Sequence, residues 1–425
     1  MRPLIPDYLA DVLSSCAEDD SGALATYIPE LARADPNRFG VALSTVDGAV
    51  YCTGDSDTEF TIQSISKPFV YALALQDRGF DAVLDKIDVE PSGDPYNELS
   101  LEGSTGRPLN PMINAGALAT HALIEPDGDV QARVERIVSG LSAFAGRELT
   151  IDEAAFESEV GTAYRNRALA NMLRSYDNLV FEPLDVVRGY TRQCSVLVTT
   201  RDLAVMAATL ANGGVSPVTG EHVISPRIVR QVLSVMTTCG MYDSAGDWLS
   251  TVGIPAKSGV SGGILGVLPG QSGLATFSPR LDGHGNSVRG VRAFERFSDQ
   301  MGLHLMEVAP PARGVIRAER EVRMADGGLA DVFSLQGAIR FAGAERVVRT
   351  LAEDTHLAPH VVFDVTYVFS VNRVAGAMLR EVAQRIIADG HIVTIVDPEE
   401  ILSITPDGGP LRLTRTVTEA LGNKV

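Results

Sequence analysis

The run Phe69-Val70-Tyr71-Ala72-Leu73-Ala74-Leu75, stopped by Gly79, constrains this chain more than any other feature. A helix that is apolar on most of its sides is stable only when other elements surround it, so the run predicts a buried helix at the centre of a core. Pro68 stands directly before it. Proline is accepted in the first turn of a helix and not in its interior, so the helix must begin close to Ser64.

Ser64 and Lys67 therefore sit at the start of the same helix, one turn apart on one face, with the amine within reach of the hydroxyl. A free hydroxyl is a poor nucleophile, but a lysine partly buried beside it loses favour for its charged form and can accept the proton. The chemistry predicted is acyl transfer. Ser-x-x-Lys is only four characters and arises by chance in chains of this length; its weight comes from the buried helix that follows and from a second motif. Ser66 faces another way and is the weaker candidate.

That second motif is Pro255-Ala256-Lys257-Ser258-Gly259-Val260-Ser261-Gly262-Gly263-Ile264. It resembles the Lys-Thr-Gly strand of penicillin-recognising enzymes. Its glycines let a substrate approach the backbone, the N–H of Val260 can pair with that of Ser64 as an oxyanion hole, and Lys257 adds positive charge. The same stretch matches Gly-x-Ser-x-Gly, the elbow of α/β hydrolases. That reading fails because an elbow serine leads directly into a helix, whereas Ile264-Leu265-Gly266-Val267-Leu268-Pro269-Gly270 reads as strand and turn.

The remaining composition narrows the setting. The 425 residues suggest two or three domains, and 45% apolar with 21% charged residues is the balance of a globular chain. A net charge of −18 argues against nucleic acid and anionic membranes as general partners. Cys16, Cys52, Cys194 and Cys239 are scattered without Cys-x-x-Cys spacing, which suits buried thiols in a reducing compartment. The N-terminal segment lacks the pattern of a secretory signal and no long uncharged stretch could span a bilayer, so a cytoplasmic protein is expected. Among the dispersed histidines only His356 and His360 have helical spacing, and Pro359 between them argues against a metal site.

Along the chain, residues 130–146 and 201–212 read as helices and 40–43 and 274–277 as strands, a mixed α/β (α+β) pattern. Ala309-Pro310-Pro311-Ala312-Arg313-Gly314 marks a boundary. Beyond it come strand-like 315–322, strand 331–334, helix 344–353, strand 360–365, helix 374–389 and strand 391–396, a small βαβ domain. The expected division is 1–309, 312–417 and a fraying tail, 418–425.

Taken singly, Tyr27, Asn110, Asn114, Glu159, Asn166, Tyr190 and Tyr242 would each pass for a structural residue such as a buried tyrosine or a turn asparagine. Together, Gln63-Ser64-Ile65-Ser66-Lys67, Asn110-Pro111-Met112-Ile113-Asn114-Ala115-Gly116-Ala117, Arg165-Asn166-Arg167-Ala168-Leu169-Ala170 and Lys257-Ser258-Gly259-Val260-Ser261-Gly262-Gly263 resemble the serine-dependent glutaminases over roughly residues 5 to 305. The resemblance implies a β-lactamase-like domain hydrolysing L-glutamine to L-glutamate and ammonia. It implies Ser64 as acylated nucleophile, Lys67 as base, Tyr242 as proton relay to the departing ammonia and Tyr27 close to the reacting amide, with Lys257 in the supporting strand. Substrate contacts carried over are Ser64, Asn114, Glu159, Asn166, Tyr190, Tyr242 and Val260. The chemistry agrees: Glu159 suits the ammonium of glutamine, and amide and phenol donors suit its carboxylate. No metal or organic cofactor is needed, and a homo-oligomer, dimer or tetramer, is implied.

The second block resembles a STAS domain through Val362-Phe363-Asp364-Val365-Thr366 and Val371-Asn372-Arg373-Val374-Ala375. Where signalling members of that family carry a phosphorylated serine before the helix, this chain has Asn372-Arg373-Val374. A protein partner on this domain is the implied role. Two rival readings stand beside the glutaminase: a penicillin-interacting serine hydrolase, which Tyr164-Arg165-Asn166 imitates but which needs export, and a non-catalytic STAS-linked scaffold, against which the intact Ser64, Lys67, Tyr242 and Lys257 speak.

Overall fold

The computed structural model describes residues 4–92, 101–103, 105–125, 129–307, 314–353, 356–402 and 409–422. The chain divides into two compact units, Met1–Glu307 and Val308–Val425. Most of the expected boundary segment, 309–313, lies outside the described residues.

The first unit is built on an antiparallel sheet of β1 (Gly40–Thr45), β2 (Val50–Gly54), β5 (Ala256–Ser258), β6 (Gly263–Leu268) and β7 (Ser272–Phe277), in the order β2-β1-β7-β6-β5. β3 (Phe60–Thr61) and β4 (Leu197–Val198) form a separate short pair. Successive side chains of a strand point to opposite faces. Here both faces are covered, so β6 and β7 are buried along their whole lengths. Val41, Leu43, Ile264, Leu268 and Leu274 join one cluster with Phe294 and Phe297 of the helix Val288–Met301. Ala42, Leu265, Val267, Ala275 and Phe277 join the other, with the helix Thr200–Ala211. That helix carries a complete capping box between Thr199 and Asp202.

The helix expected at the centre is there: Ser66–Arg78, with every residue from Ser66 to Leu75 buried. Pro68 falls in its first turn, where no intrahelical bond is lost. The expected helices at 130–146 and 201–212 appear as Val130–Ala145, ended by Gly146 in a left-handed conformation, and Thr200–Ala211. Cys16, Cys194 and Cys239 are buried and Cys52 half-buried, all as free thiols.

In the second unit β8 (Ile316–Arg323), β9 (Leu329–Ile339), β10 (His360–Val371), β11 (Ile392–Val396) and β12 (Leu411–Thr414) lie in the order β12-β11-β10-β9-β8. All pairs are parallel except β8–β9. The helices Phe341–Glu353 and Arg373–Ala388 cover one face. On the other, a short helix Val417–Ala420 begins at the Thr416 cap, and Ala420 and Leu421 pack on Ala330, Val332, Val362 and Val396. The expected fraying tail, 418–425, is therefore packed as far as Leu421, with Val417 beside it, and residues 423–425 lie outside the described residues. His360 is buried, its Nε2 2.7 Å from Thr394 Oγ1. No described helix is long and apolar enough to cross a membrane.

Candidate active site

Ser64 lies in a 3₁₀ turn, Gln63–Ile65, that runs straight into the central helix. Gln63 enters that turn with φ +49°, a left-handed conformation that a side-chain-bearing residue adopts only when its surroundings over-determine it. One such constraint is the hydroxyl of Ser66, which donates to the Gln63 carbonyl at 2.8 Å and accepts from Gln193 at 3.0 Å.

The turn packs directly on the strand motif. A methyl group placed on Gly259 would come 3.0 Å from Ile65 Cγ1 and 3.1 Å from the Ile62 carbonyl, and one on Gly263 would come 2.7 Å from Ile65 Cδ1. Only glycine permits the two segments to approach this closely. Val260 follows Gly259, and its N–H has no hydrogen-bond partner among the described residues.

Ser64 opens into a cavity of about 280 Å³ whose wall includes Tyr27, Asn114, Glu159, Asn166, Tyr190 and Val260. These residues, which the sequence spreads over more than two hundred positions, are brought to one hollow. Tyr27 stands at the rim, 45% exposed, and its hydroxyl donates to Gln63 Oε1 at 3.3 Å. Gln63 Nε2 in turn donates to Glu159 Oε2 at 3.1 Å. Burial pushes the Glu159 carboxyl up to about 7, against a smaller opposing effect of the Gln63 bond. Burial raises the Tyr190 phenol well above its usual range and the Cys194 thiol up to about 12.

Lys67, Tyr242 and Lys257 stand behind this wall rather than on it. Lys67 is fully buried, and desolvation brings its amine down to about 7. Its Nζ donates to the Met112 carbonyl at 3.1 Å and to Asn114 Oδ1 at 2.7 Å, not to Ser64. Asn114 passes its own N–H to Asn166 Oδ1 at 3.0 Å. The Met112 carbonyl is presented by a turn that Asn110 holds, its Oδ1 accepting from the N–H groups of Met112 and Ile113. A neutral amine has two N–H donors and one lone pair; both donors are engaged, and the lone pair is left to take a proton.

Lys257 is also fully buried, held well below its ordinary value by desolvation and then by Lys67. It donates to the Ser258 carbonyl at 2.8 Å, the acceptor also used by the Tyr242 hydroxyl at 3.1 Å, and lies 3.9 Å from the centre of the Tyr242 ring. Tyr242 begins a short 3₁₀ turn with φ +56°.

Five wall residues had no role in the sequence reading: Gln63, Thr162, Ala163, Arg165 and Cys194. Gln63 and Arg165 lie inside the motifs quoted above, while the lone Cys194 gives no signal in a sequence. A more open cleft of about 830 Å³ along the helix Val130–Ala145 contains none of these groups. Among the described residues no cluster of histidine, cysteine and carboxylate side chains could hold a metal ion.

Residues 22–306 match the glutaminase family model. A glutaminase from Corynebacterium glutamicum is 51% identical over 399 residues, 94% of this chain and 95% of its own length. One from Trichormus variabilis is 50% identical over 69% of this chain and 87% of its own. A crystal structure of Mglu in its glutamate form, 44% identical, superimposes with a TM-score of 0.84 over 94% of this chain and 100% of its own. The chain belongs to the glutaminase family.

Proposed function

We propose that this glutaminase, which hydrolyses L-glutamine to L-glutamate and ammonia, does so through an acyl-enzyme on Ser64. The observation that carries the reading is the desolvated Lys67 amine, brought down to about 7 so that a large share is neutral near pH 7, with two acceptors engaged one helical turn from a serine in the cavity wall. Glu159 receives the ammonium of glutamine, and the amide N–H₂ of Asn166 with the Tyr190 phenol receives its carboxylate. That orientation brings the side-chain amide to Ser64.

The hydroxyl attacks the amide carbon and its proton passes to Lys67. The N–H groups of Ser64 and Val260 stabilise the oxyanion. Collapse expels ammonia, protonated through Tyr242, with Tyr27 closing the rim. Water then cleaves the γ-glutamyl ester, releasing glutamate and returning the proton to Ser64. Lys257 braces the Ser258 carbonyl beneath Tyr242. The first unit is read as β-lactamase-like, working as a homodimer or homotetramer in the cytoplasm.

The second unit is read as STAS-like. Asn372, where signalling relatives of that fold carry a modified serine, caps the helix Arg373–Ala388 by accepting from Ala375 N–H at 2.8 Å, which suits a docking role without a phosphorylation switch. Loss of assembly or altered kinetics on deleting residues 312–425 would support that role; an unchanged enzyme would remove it.

The acyl-enzyme is tested by acid quench during turnover and peptide mass mapping. A γ-glutamyl adduct on the peptide containing Ser64 is expected. Full turnover with no adduct on any serine would refute covalent catalysis.

A further inference from the structure

The turn that carries Tyr242 is tied to a second loop, residues 281–286, which also lies against Val260. Asp282 organises that loop: its Oδ1 accepts from the N–H groups of His284, at 2.8 Å, and Asn286, at 2.9 Å. Two side chains then reach across. His284 Nδ1 stands 3.0 Å from Asp243 Oδ2, and Asn286 Nδ2 donates to Ser244 Oγ at 2.8 Å. Asp243 and Ser244 are the two residues that follow Tyr242 in its 3₁₀ turn. A methyl group on Gly285 would lie 3.9 Å from both Tyr242 Cε2 and Val260 Cγ1, so the loop backs onto the ring itself. At its base, Leu281 and Ala23 exchange backbone bonds at 2.8 and 3.0 Å, joining it to the segment that leads to Tyr27. A hollow of about 440 Å³ between these segments shares Tyr27 and Val260 with the substrate cavity.

Tyr242 needs such support. Its φ of +56° is costly for a residue with a bulky side chain, and neighbours must hold it there. Resting on the reading of Tyr242 given above, we propose that His284 and Asp243 are a positioning pair that locks the Tyr242 turn in its left-handed conformation and so aims the phenol at the reacting amide.

The pair titrates. Donation to Asp243 and its charge hold the His284 imidazole above its ordinary value, with Asp282 and Asp247 adding to the effect and burial opposing it. The titratable groups facing His284 are Asp243 on the turn, Asp247 on the helix Ala245–Thr251, Asp282 on its own loop and the phenol of Tyr27 across the hollow. The ion pair is therefore complete below the raised value and is lost as pH rises through it.

The test compares kcat and KM across pH for the full-length enzyme and its His284→Ala, His284→Lys and Tyr242→Phe variants. His284→Ala should lower kcat about tenfold on the acid side of the titration, with KM moved by less than about twofold and the deficit shrinking as pH rises. His284→Lys, whose charge persists to higher pH, should restore kcat and hold it further into the alkaline range. A pH-independent loss, a change confined to KM, or wild-type kcat in His284→Ala beside a crippled Tyr242→Phe enzyme would overturn the positioning role and leave the mechanism intact. A fully active Tyr242→Phe enzyme would instead remove the proton relay, and the proposal with it.

Discussion

Gln63 Nε2 donates to Glu159 Oε2 across 3.1 Å, and no cation pairs with that carboxylate among the described residues. A buried carboxylate with one neutral partner is an unfinished site, because taking a charge out of water is costly until an opposite charge arrives. The folded protein holds the Glu159 proton up to about 7, whereas the unfolded chain releases it near its ordinary value of 4.5. Stability is thus lost as pH rises from the unfolded value to the folded one and stays lost above it.

Glu159→Gln removes that penalty while keeping an acceptor for Gln63. At pH 8 the variant should gain on the order of 1 to 3 kcal/mol and show a raised Tm, a difference that closes below about pH 4.5. Its KM for glutamine should rise by about a hundredfold or more, the loss expected for one partner of a buried charge pair. Scanning calorimetry against pH decides the matter; a variant less stable than wild type at pH 8 would contradict the assignment of Glu159 as a strained, ligand-awaiting carboxylate.

The acid limb of kcat/KM follows from two groups with the same sign. Lys67 must be neutral to accept the Ser64 proton and Glu159 must be ionised to hold an ammonium, and both titrate near 7. Log kcat/KM should therefore climb through this region with a slope approaching two below about pH 6.5, as both groups must lose a proton. In Glu159→Gln the residual slope should fall to about one. A profile flat from pH 6 to 8 would rule out both assignments.

The hydrogen bonds of Lys67 depend on the turn before the helix Asn114–Leu123. Gly116 lies in that helix so close to the Asn110 carbonyl that a methyl group would stand 1.9 Å from its oxygen. Backbone cannot yield as a side-chain tip can. Gly116→Ala should cost about 3 kcal/mol, lower Tm by several degrees and lower kcat by displacing Met112 and Asn114. Wild-type Tm and turnover in this variant would show that the turn is far more pliant than its packing suggests.

What the sequence revealed and what it withheld divide along physical lines. The central helix was legible because Pro68 and seven apolar residues leave one way to fold. The strand motif was legible through its likeness to Lys-Thr-Gly, but its glycines at 259 and 263, read as room for substrate, instead admit Ile65 and its neighbours. Gln63 was not, since its partners Tyr27 and Glu159 lie 36 and 96 positions away and an amide advertises neither. In the second unit β10 runs well past the expected 360–365, to Val371, because the exposed Tyr367 and Phe369 hide its continuation from a reading based on buried alternation. β12 and the helix Val417–Ala420 are four residues each, too short to show a period.

Ammonia release from L-glutamine by wild type and Ser64→Ala, at matched fold and Tm, tests the central claim most directly. Wild type should turn over, and the variant should lose at least about a thousandfold in kcat while still binding L-glutamate, since the contacts to ammonium and carboxylate remain. A Ser64→Ala enzyme within about tenfold of wild type would contradict the claim that this hydroxyl is the nucleophile.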